Sequence, residues 1–309
     1  QSVQRSPSLL HVSAPPTDQS TFSRRERVAG YVALTKPRII ELLLVTTVPT
    51  MFVAERSVPS VWLMVATVVG GTLAAGGANA VNMVIDRDID GLMERTMHRP
   101  LVRGVMSPRA ALTFAVVIEV VAFAWLFTTV NLLSALLAVS ATFFYVFVYT
   151  LWLKRTTTQN IVIGGAAGAV PVLVGWSAVT NSLGWAPVVL FLVIFFWTPP
   201  HFWALAIRYR EDYSAASVPM LPAVATLAAT ARKITLYTVM LVGTTLVFAP
   251  VADMGAVYVA AALILGALFG VLALAVQRDP TERAAMRLFS YSITYVTLLF
   301  AAMIVDVLV

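Results

Sequence analysis

Long apolar runs broken by short polar segments dominate the chain. No Asp, Glu, Lys or Arg occurs between Thr156 and Ile207. Only Glu119 interrupts the stretch from Arg109 to Lys154, and only Asp253 the stretch from Lys233 to Arg278. Each of these runs is long enough for two membrane spans of about 20 residues. Turn residues at 128–131, 181–184 and 250–255 divide them. With the flanking segments, the pattern predicts nine membrane helices near 34–54, 60–86, 108–128, 132–152, 159–180, 186–207, 232–250, 255–276 and 287–308. The expected fold is an all-α integral membrane protein, with nine helices of a domain over 28–309 around a central cavity. A weak internal echo pairs Asn82-x-x-x-Asp86 with Arg208-x-x-x-Asp212, each before a basic, proline-containing loop. It suggests parallel halves over 34–152 and 159–276.

Charge strengthens this reading. Charged residues make up 12% of the 309 residues, against roughly 25% in soluble domains, which excludes an ordinary water-soluble enzyme. Cysteine is absent, so disulfides, zinc–thiolate sites, iron–sulfur clusters and thiol nucleophiles are excluded as well. The net charge of +6 reads as topology and not as a nucleic-acid footprint. Of the 21 Lys and Arg, 20 fall on the N-terminal segment and alternate loops, and Arg56 alone falls on the other side. The positive-inside rule then places the N-terminus and the basic loops in the cytoplasm, and an odd number of spans places Val309 outside. Two cytoplasmic loops are long, 87–107 and 208–231, which points to chemistry at the cytoplasmic mouth. Residues 1–27, rich in Ser, Pro, Gln and Arg, are expected to be a disordered cytosolic tail, the alternative being a transit-peptide remnant. The shortness of this segment favours a plasma membrane over the mitochondrial inner membrane. Thr35 is the expected N-cap of the first span, with Pro37 in its first turn.

Several residue constellations carry candidate chemistry. Asn82, Asp86 and Asp90 recur every four residues, so on a helix they line one stripe about 6 Å apart; Asp88 falls elsewhere. Such a stripe suits a hard cation such as Mg²⁺. It also suits a solvated helix end with arginine counter-ions. Arg95, Arg99 and Arg103 follow at the same spacing with His98 among them. They serve either a phosphate-bearing polyanion or topology alone. Lys154 and Arg155, after Tyr149, close the fourth predicted helix with the same two readings. Pro199-Pro200 is expected to break the sixth helix, and broken membrane helices line cavities. His201 stands there among aromatics including Trp197 and Trp203, either as a packed core histidine or as a ligand to a planar macrocycle's iron. The glycines of the second and fifth predicted helices serve close packing or leave room for a lipid chain. Glu119, within a predicted span, is a functional candidate by default, with no partner evident in the sequence.

Together these residues resemble the haem-farnesylating branch of the UbiA-type intramembrane prenyltransferases. The resemblance runs from about Thr35 to the C-terminus. Its carriers are Thr35-Lys36-Pro37-Arg38, the stripe from Asn82 to Asp90 with Arg95-Thr96 and Arg99-Pro100, and Tyr149-Thr150 with Leu153-Lys154-Arg155. Gln159-Asn160-Ile161-Val162-Ile163-Gly164-Gly165, the Trp197–Trp203 block, and Asp212-Tyr213 with Pro219-Met220-Leu221-Pro222 complete them. The stripe is shared by the superfamily; the Trp197–Trp203 block and Pro219-Met220-Leu221-Pro222 look specific to the haem branch. Two departures stand out: Arg208 replaces the first acid of the second motif, leaving Asp212, and Thr156-Thr157-Thr158 stands where a proline is expected.

The resemblance implies transfer of farnesyl from farnesyl diphosphate to the vinyl group of haem B with addition of water. The products are haem O, which supplies terminal oxidases, and diphosphate. It implies Mg²⁺ on Asn82 and Asp86 with Asp90 and Asp212, and Arg95, Arg99, Lys154 and Arg208 on the diphosphate. Tyr149 would face an allylic cation. His201, or failing it His98, would contact haem beside Trp197 and Trp203. The lipid bilayer is the implied environment, a haem A synthase is a candidate partner, and no nucleic acid is expected. A sister enzyme acting on a quinone precursor, a secondary transporter and a non-catalytic haem chaperone are the rival readings.

Overall fold

The structure, a computed structural model, describes residues 22–309, with the side chains of 38–44 outside the description. In chain order, the first helices are α1 (Arg24–Leu34), α2 (Pro37–Glu55), α3 (Val61–Ile85), the short α4 (Arg87–Asp90) and α5 (Pro108–Thr129). Next, α6 (Leu132–Phe143) runs into a π-helical stretch, Phe144–Leu153, and a last turn, α7 (Lys154–Thr156). After α8 (Asn160–Thr180) and α9 (Trp185–Arg208) come the short α10 (Arg210–Ala215) and α11 (Leu221–Val224). The long α12 (Leu227–Val251), α13 (Ala256–Arg278) and α14 (Glu282–Leu308) complete the chain. Eight helices among the described residues are long and apolar enough to cross a membrane. They coincide with eight of the predicted spans, and α2 lies where the first span was expected.

Large apolar residues such as Val116, Val120, Val239, Ile264 and Val271 are exposed on the outer faces. The interior buries Asn82, Asp86, Asp90, Thr150 and Ser292. This outward apolar coat is what a bilayer requires, and the helices satisfy their own backbone groups within it. The protein is an integral membrane protein.

The helices close into a ring: α2, α3, α5, α6, α8, α9, α12, α13, α14 and back to α2, with α2 also on α8 and α9 on α14. Large aromatics, Trp203, Phe248, Tyr258, Phe269, Tyr295 and Phe300, fill the side built from α9 and α12–α14. The opposite side is lined by smaller residues from α2, α3, α6, α8 and α9, and it holds a cavity of about 420 Å³. Side chains set the helix starts: Ser107 Oγ accepts from Ala110 N at 3.1 Å, and Asn131 Oδ1 from Ser134 N at 2.8 Å.

Three local expectations are corrected. Residues 24–27, assigned to the disordered tail, are the first turn of α1, capped reciprocally by Ser23 and Glu26; residues 1–21 lie outside the described residues. Thr35 ends α1 instead of capping α2, and its hydroxyl donates to Val32 O at 2.8 Å. The N-cap of α2 is Lys36, at φ 50° and ψ 66°. A residue before proline is barred from right-handed helical geometry, and Lys36 takes the left-handed alternative, a strained state typical of functional positions. Finally, Pro199-Pro200 does not break α9, which is continuous from Trp185 to Arg208. The two prolines remove the donors for the Phe195 and Phe196 carbonyls, but neighbouring bonds hold the helix. Thr198 Oγ1 donates to Ile194 O at 2.9 Å, and Trp197 Nε1 to Ser292 O at 2.8 Å.

Candidate active site

The acid stripe forms as its spacing predicts. Backbone bonds from Asp86 N to Asn82 O (2.9 Å) and from Asp90 N to Asp86 O (2.8 Å) carry the helical register past the end of α3. Asn82, Asp86 and Asp90 are buried, whereas Asp88 is 60% exposed. A ring of cations meets the buried acids. Lys154 donates to Asp86 Oδ2, and Asn82 Nδ2 donates to the same oxygen at 2.7 Å. Arg99 NH1 donates to Asp90 Oδ2 at 2.6 Å. Arg155 grips Asp88 with two bonds of 2.7 and 2.8 Å and lies 3.6 Å from Asp86 Oδ1. Those bonds hold the Asp88 carboxyl down at about 2.

The π-helical stretch brings Lys154 to the stripe. Its i→i+5 repeat aligns residues five apart, so Tyr149 and Lys154 both line the cavity; in an α-helix that spacing would turn them to different faces. Thr150 Oγ1 donates to Tyr145 O at 2.8 Å and accepts from Asn82 Nδ2 at 3.1 Å, tying this stretch to α3. Tyr145 and Tyr149 stack with centroids 5.4 Å apart. The Tyr149 ring lies directly over Gly164, where a side chain would collide with it.

Lys36, Tyr145 and Thr150 are site residues for which sequence reading gave no role. Lys36 Nζ donates to Asn82 Oδ1 at 2.7 Å and lines the cavity. The available signal was a lysine placed directly before the proline that opens an apolar span. For Tyr145 it was the four-residue step to Tyr149.

Below this polar mouth the cavity is an apolar tunnel. Gly71, Ala74, Ala78, Ala141, Gly168 and Val174 are among its walls. Glycine therefore serves both expected purposes: Gly164 and Gly165 pack closely against Tyr149 and Thr198, whereas Gly71 and Gly168 face the tunnel. On α3 the lining runs from Asn82 to Thr67, about 22 Å at 1.5 Å per residue. Trp197, Phe202, Leu205, Tyr213 and Met220 supply aromatic and apolar parts of the cavity wall. The second long loop covers the mouth: Arg95 N donates to Asp212 Oδ2 at 3.4 Å, and the Arg95 guanidinium lies 5.7 Å from the Tyr209 ring centre.

Other expected site residues lie elsewhere. His201 is buried, but it faces α14 and does not line the cavity. Its Nδ1 bonds Ser292 Oγ at 2.7 Å, and its ring stacks on Trp197 at 4.3 Å and lies tilted against Phe289 at 4.7 Å. Trp203 is buried edge-on to Tyr237, also off the cavity. On α9 the lining residues are Ile194, Trp197, Thr198, Phe202 and Leu205; Trp203 falls on the other side of the helix, and His201 is held toward α14 by its bond to Ser292 and its contact with Phe289. His98 is exposed on its loop. Arg208 pairs with Glu282 at 3.4 Å, both half-exposed. Arg103 lies 6.0 Å from the Phe22 ring centre, away from the acids, because the loop after Gly91 coils in turns and the four-residue step loses its common face. The side chain of Arg38 is outside the described set.

The residues present fit a divalent cation. Asp86 Oδ1 and Asp90 Oδ1 are buried without a hydrogen bond. No group of three or more His, Cys, Asp or Glu is gathered among the described residues. That donor set suits Mg²⁺, which takes one or two carboxylates and completes its shell with water and substrate phosphate.

Paired acids and buried cations at the mouth of an apolar tunnel, inside a helical membrane bundle, define an intramembrane transferase for lipid-borne anions. The chain belongs to the UbiA prenyltransferase family, whose profile matches residues 43–302. It is 56% identical over 289 residues to the protoheme IX farnesyltransferase of Frankia casuarinae, covering 92% of this chain and 99% of that one. To the Streptomyces avermitilis protein of the same name it is 53% identical over 286 residues, covering 91% and 94%. Among solved structures, a digeranylgeranylglyceryl phosphate synthase matches with a TM-score of 0.75 at 17% identity, covering 91% of this chain and 99% of that one. A UbiA homologue from Archaeoglobus fulgidus bound to GPP and Mg²⁺ matches at 0.64 and 15%, covering 89% and 99%.

Proposed function

We propose that the chain transfers the farnesyl group of farnesyl diphosphate to a vinyl group of haem B with addition of water, giving haem O and diphosphate. The high identity to the protoheme IX farnesyltransferases over nearly their full length supports this reading. One observation carries the site assignment: two buried aspartates each have a carboxylate oxygen lacking a hydrogen bond, Asp90 lining the head of the tunnel beside Arg99, and Asp86 joined to it through Asn82 and Lys154, which line it. Asp86 and Asp90 would hold Mg²⁺, which supplies Lewis-acid neutralisation of the leaving diphosphate. Support for Mg²⁺ comes from the donor set and from its presence in the A. fulgidus homologue.

The chain's own residues do the rest. Lys36, Arg95, Arg99 and Lys154 bind the diphosphate and stabilise the charge that develops as the C–O bond breaks. Lys154 and Arg99 exchange their carboxylate partners for phosphate oxygens. The stacked rings of Tyr145 and Tyr149 present π-faces to the allylic cation. The tunnel holds the farnesyl tail by burial worth about 0.8 kcal/mol per methylene. The Trp197, Phe202, Leu205 and Met220 wall offers a flat apolar bed for the porphyrin, and His201 braces Trp197 from behind through Ser292. Nine spans with the N-terminus and the site on the cytoplasmic face of the plasma membrane complete the reading; the 20-to-one split of basic residues supports that orientation.

The test is incubation of the purified protein with haem B, farnesyl diphosphate and Mg²⁺. A haem gaining one farnesyl group and one water by mass is the expected product. Transfer to a quinone precursor with haem left unmodified would overturn the haem assignment.

A further inference from the structure

The mechanism above makes no use of the carboxyl group of Glu119. This residue sits on α5 within the membrane, and its Oε1 accepts a hydrogen bond from Thr142 Oγ1 at 3.0 Å. Thr142 itself lines the cavity, so the carboxylate stands one hydroxyl away from the tunnel. The side chain lies flat on α3 at Gly77, where an added Cβ would come within 2.6 Å of both Cγ and Oε1. Gly77 thus leaves the space that the carboxylate occupies. The depth is informative. Gly77 and Ala78 precede Asn82 by five and four residues on one helix, about 6–7.5 Å along the axis. With the diphosphate at the stripe, that is the level of the reacting allylic carbons rather than of the tail. An ionisable group at membrane depth is a functional site by default, and a carboxylate with one hydroxyl partner beside a reaction cavity is suited to accept a proton.

Resting on the haem-farnesylation reading, we infer that Glu119, acting through Thr142, takes the proton released when water adds to the farnesylated haem. The proton balance is closed. Bonding of the farnesyl C1 to the vinyl terminus leaves a cation on the porphyrin-side carbon. The water oxygen forms a C–O bond there. A water proton passes to Thr142 Oγ1 as the hydroxyl's own proton passes to Glu119, which becomes neutral and later releases it to solvent. Thr142 is the group that touches the reacting water; Glu119 is a positioning residue and proton store behind it. Without this acceptor the cation is quenched by loss of a carbon-bound proton, giving an alkene lighter than the hydroxylated product by one water.

The experiment measures the share of hydroxylated product by mass, together with diphosphate release, in the full-length protein in detergent. Glu119→Gln and Thr142→Val should each lower the hydroxylated share by about tenfold or more, given the usual size of general-base effects. Thr142→Ser should keep it. Gly77→Ala, which displaces the carboxylate while leaving it in the chain, should lower the share as Glu119→Gln does. Wild-type share and rate in Glu119→Gln and Thr142→Val would overturn the inference. So would an equal loss of both products at constant share, which marks a purely structural role. A wild-type protein that forms no farnesylated haem at all overturns instead the functional reading on which the inference rests.

Discussion

Replacing Asp86 with Asn removes one buried charge and almost no volume. In the native site Asp86 is fully buried. Its Oδ2 accepts from Lys154 and Asn82, and its Oδ1 lies 3.6 Å from Arg155. The amide oxygen can still accept from Lys154, and Arg155 keeps its two bonds to Asp88. Two unit charges 4 Å apart attract by about 4 kcal/mol at an effective dielectric near 20. Desolvation cancels much of that, so the native state should lose roughly 1–3 kcal/mol, the scale of a charge-assisted hydrogen bond. Ligand binding changes with opposite sign. Without divalent cations, a diphosphate meets Lys36, Arg95, Arg99 and Lys154 with one opposing charge fewer. If about 1.4 kcal/mol of the released attraction reaches the anion, metal-free affinity rises about tenfold. Turnover falls, because half of the carboxylate pair that would hold the cation is gone. Lewis-acid stabilisation is worth several kcal/mol, so kcat/KM should drop by about a hundredfold or more. The assay pairs titration of a non-hydrolysable farnesyl diphosphate analogue in chelator with turnover at saturating Mg²⁺. Turnover within about threefold of wild type, or a lower metal-free affinity, would refute the reasoning.

Arg99→Ala should cost roughly 3–5 kcal/mol of stability in denaturing-detergent titration, because it strands the buried Asp90 carboxylate. Arg95→Ala, at an exposed position, should weaken diphosphate binding at unchanged stability. His201→Ala should lower the unfolding midpoint, by roughly 2–4 kcal/mol for the lost ring packing and the bond to Ser292, and leave the Soret band of the haem-bound protein in place; loss of that band would restore the iron-ligand reading. Arg208→Ala should change stability by about 0–1 kcal/mol, as expected of an exposed pair, and leave kcat/KM unaltered; a tenfold fall would place Arg208 on the substrate after all.

The span pattern was legible because a bilayer imposes it residue by residue: about 20 apolar positions must follow one another whatever the partners of the helix. The acid stripe was legible for a similar reason, since a four-residue step on a continuing helix fixes a common face without reference to the rest of the fold. Asn82, Asp86 and Asp90 therefore stand where the sequence put them. Arg95, Arg99 and Arg103 share the same spacing and do not stay together, because after Gly91 the chain coils in turns and the helical face vanishes.

What the tertiary structure alone decided was which groups meet. Lys36 reaches Asn82 from 46 positions away, and Lys154 reaches Asp86 from 68, both across helix contacts that no local pattern encodes. Switching the fourth span to i→i+5 geometry set the facing of Tyr149 and Lys154. The packing of α14 and α12 against α9 gave His201 its partners Ser292 and Phe289 and Trp203 its partner Tyr237, off the tunnel, and left Trp197 and Phe202 lining it. Membrane insertion is determined by one-dimensional hydrophobicity, and that is written in the order of residues. The pairing of a buried charge depends on which helix lies beside it and in what rotation, and only the packed bundle fixes both.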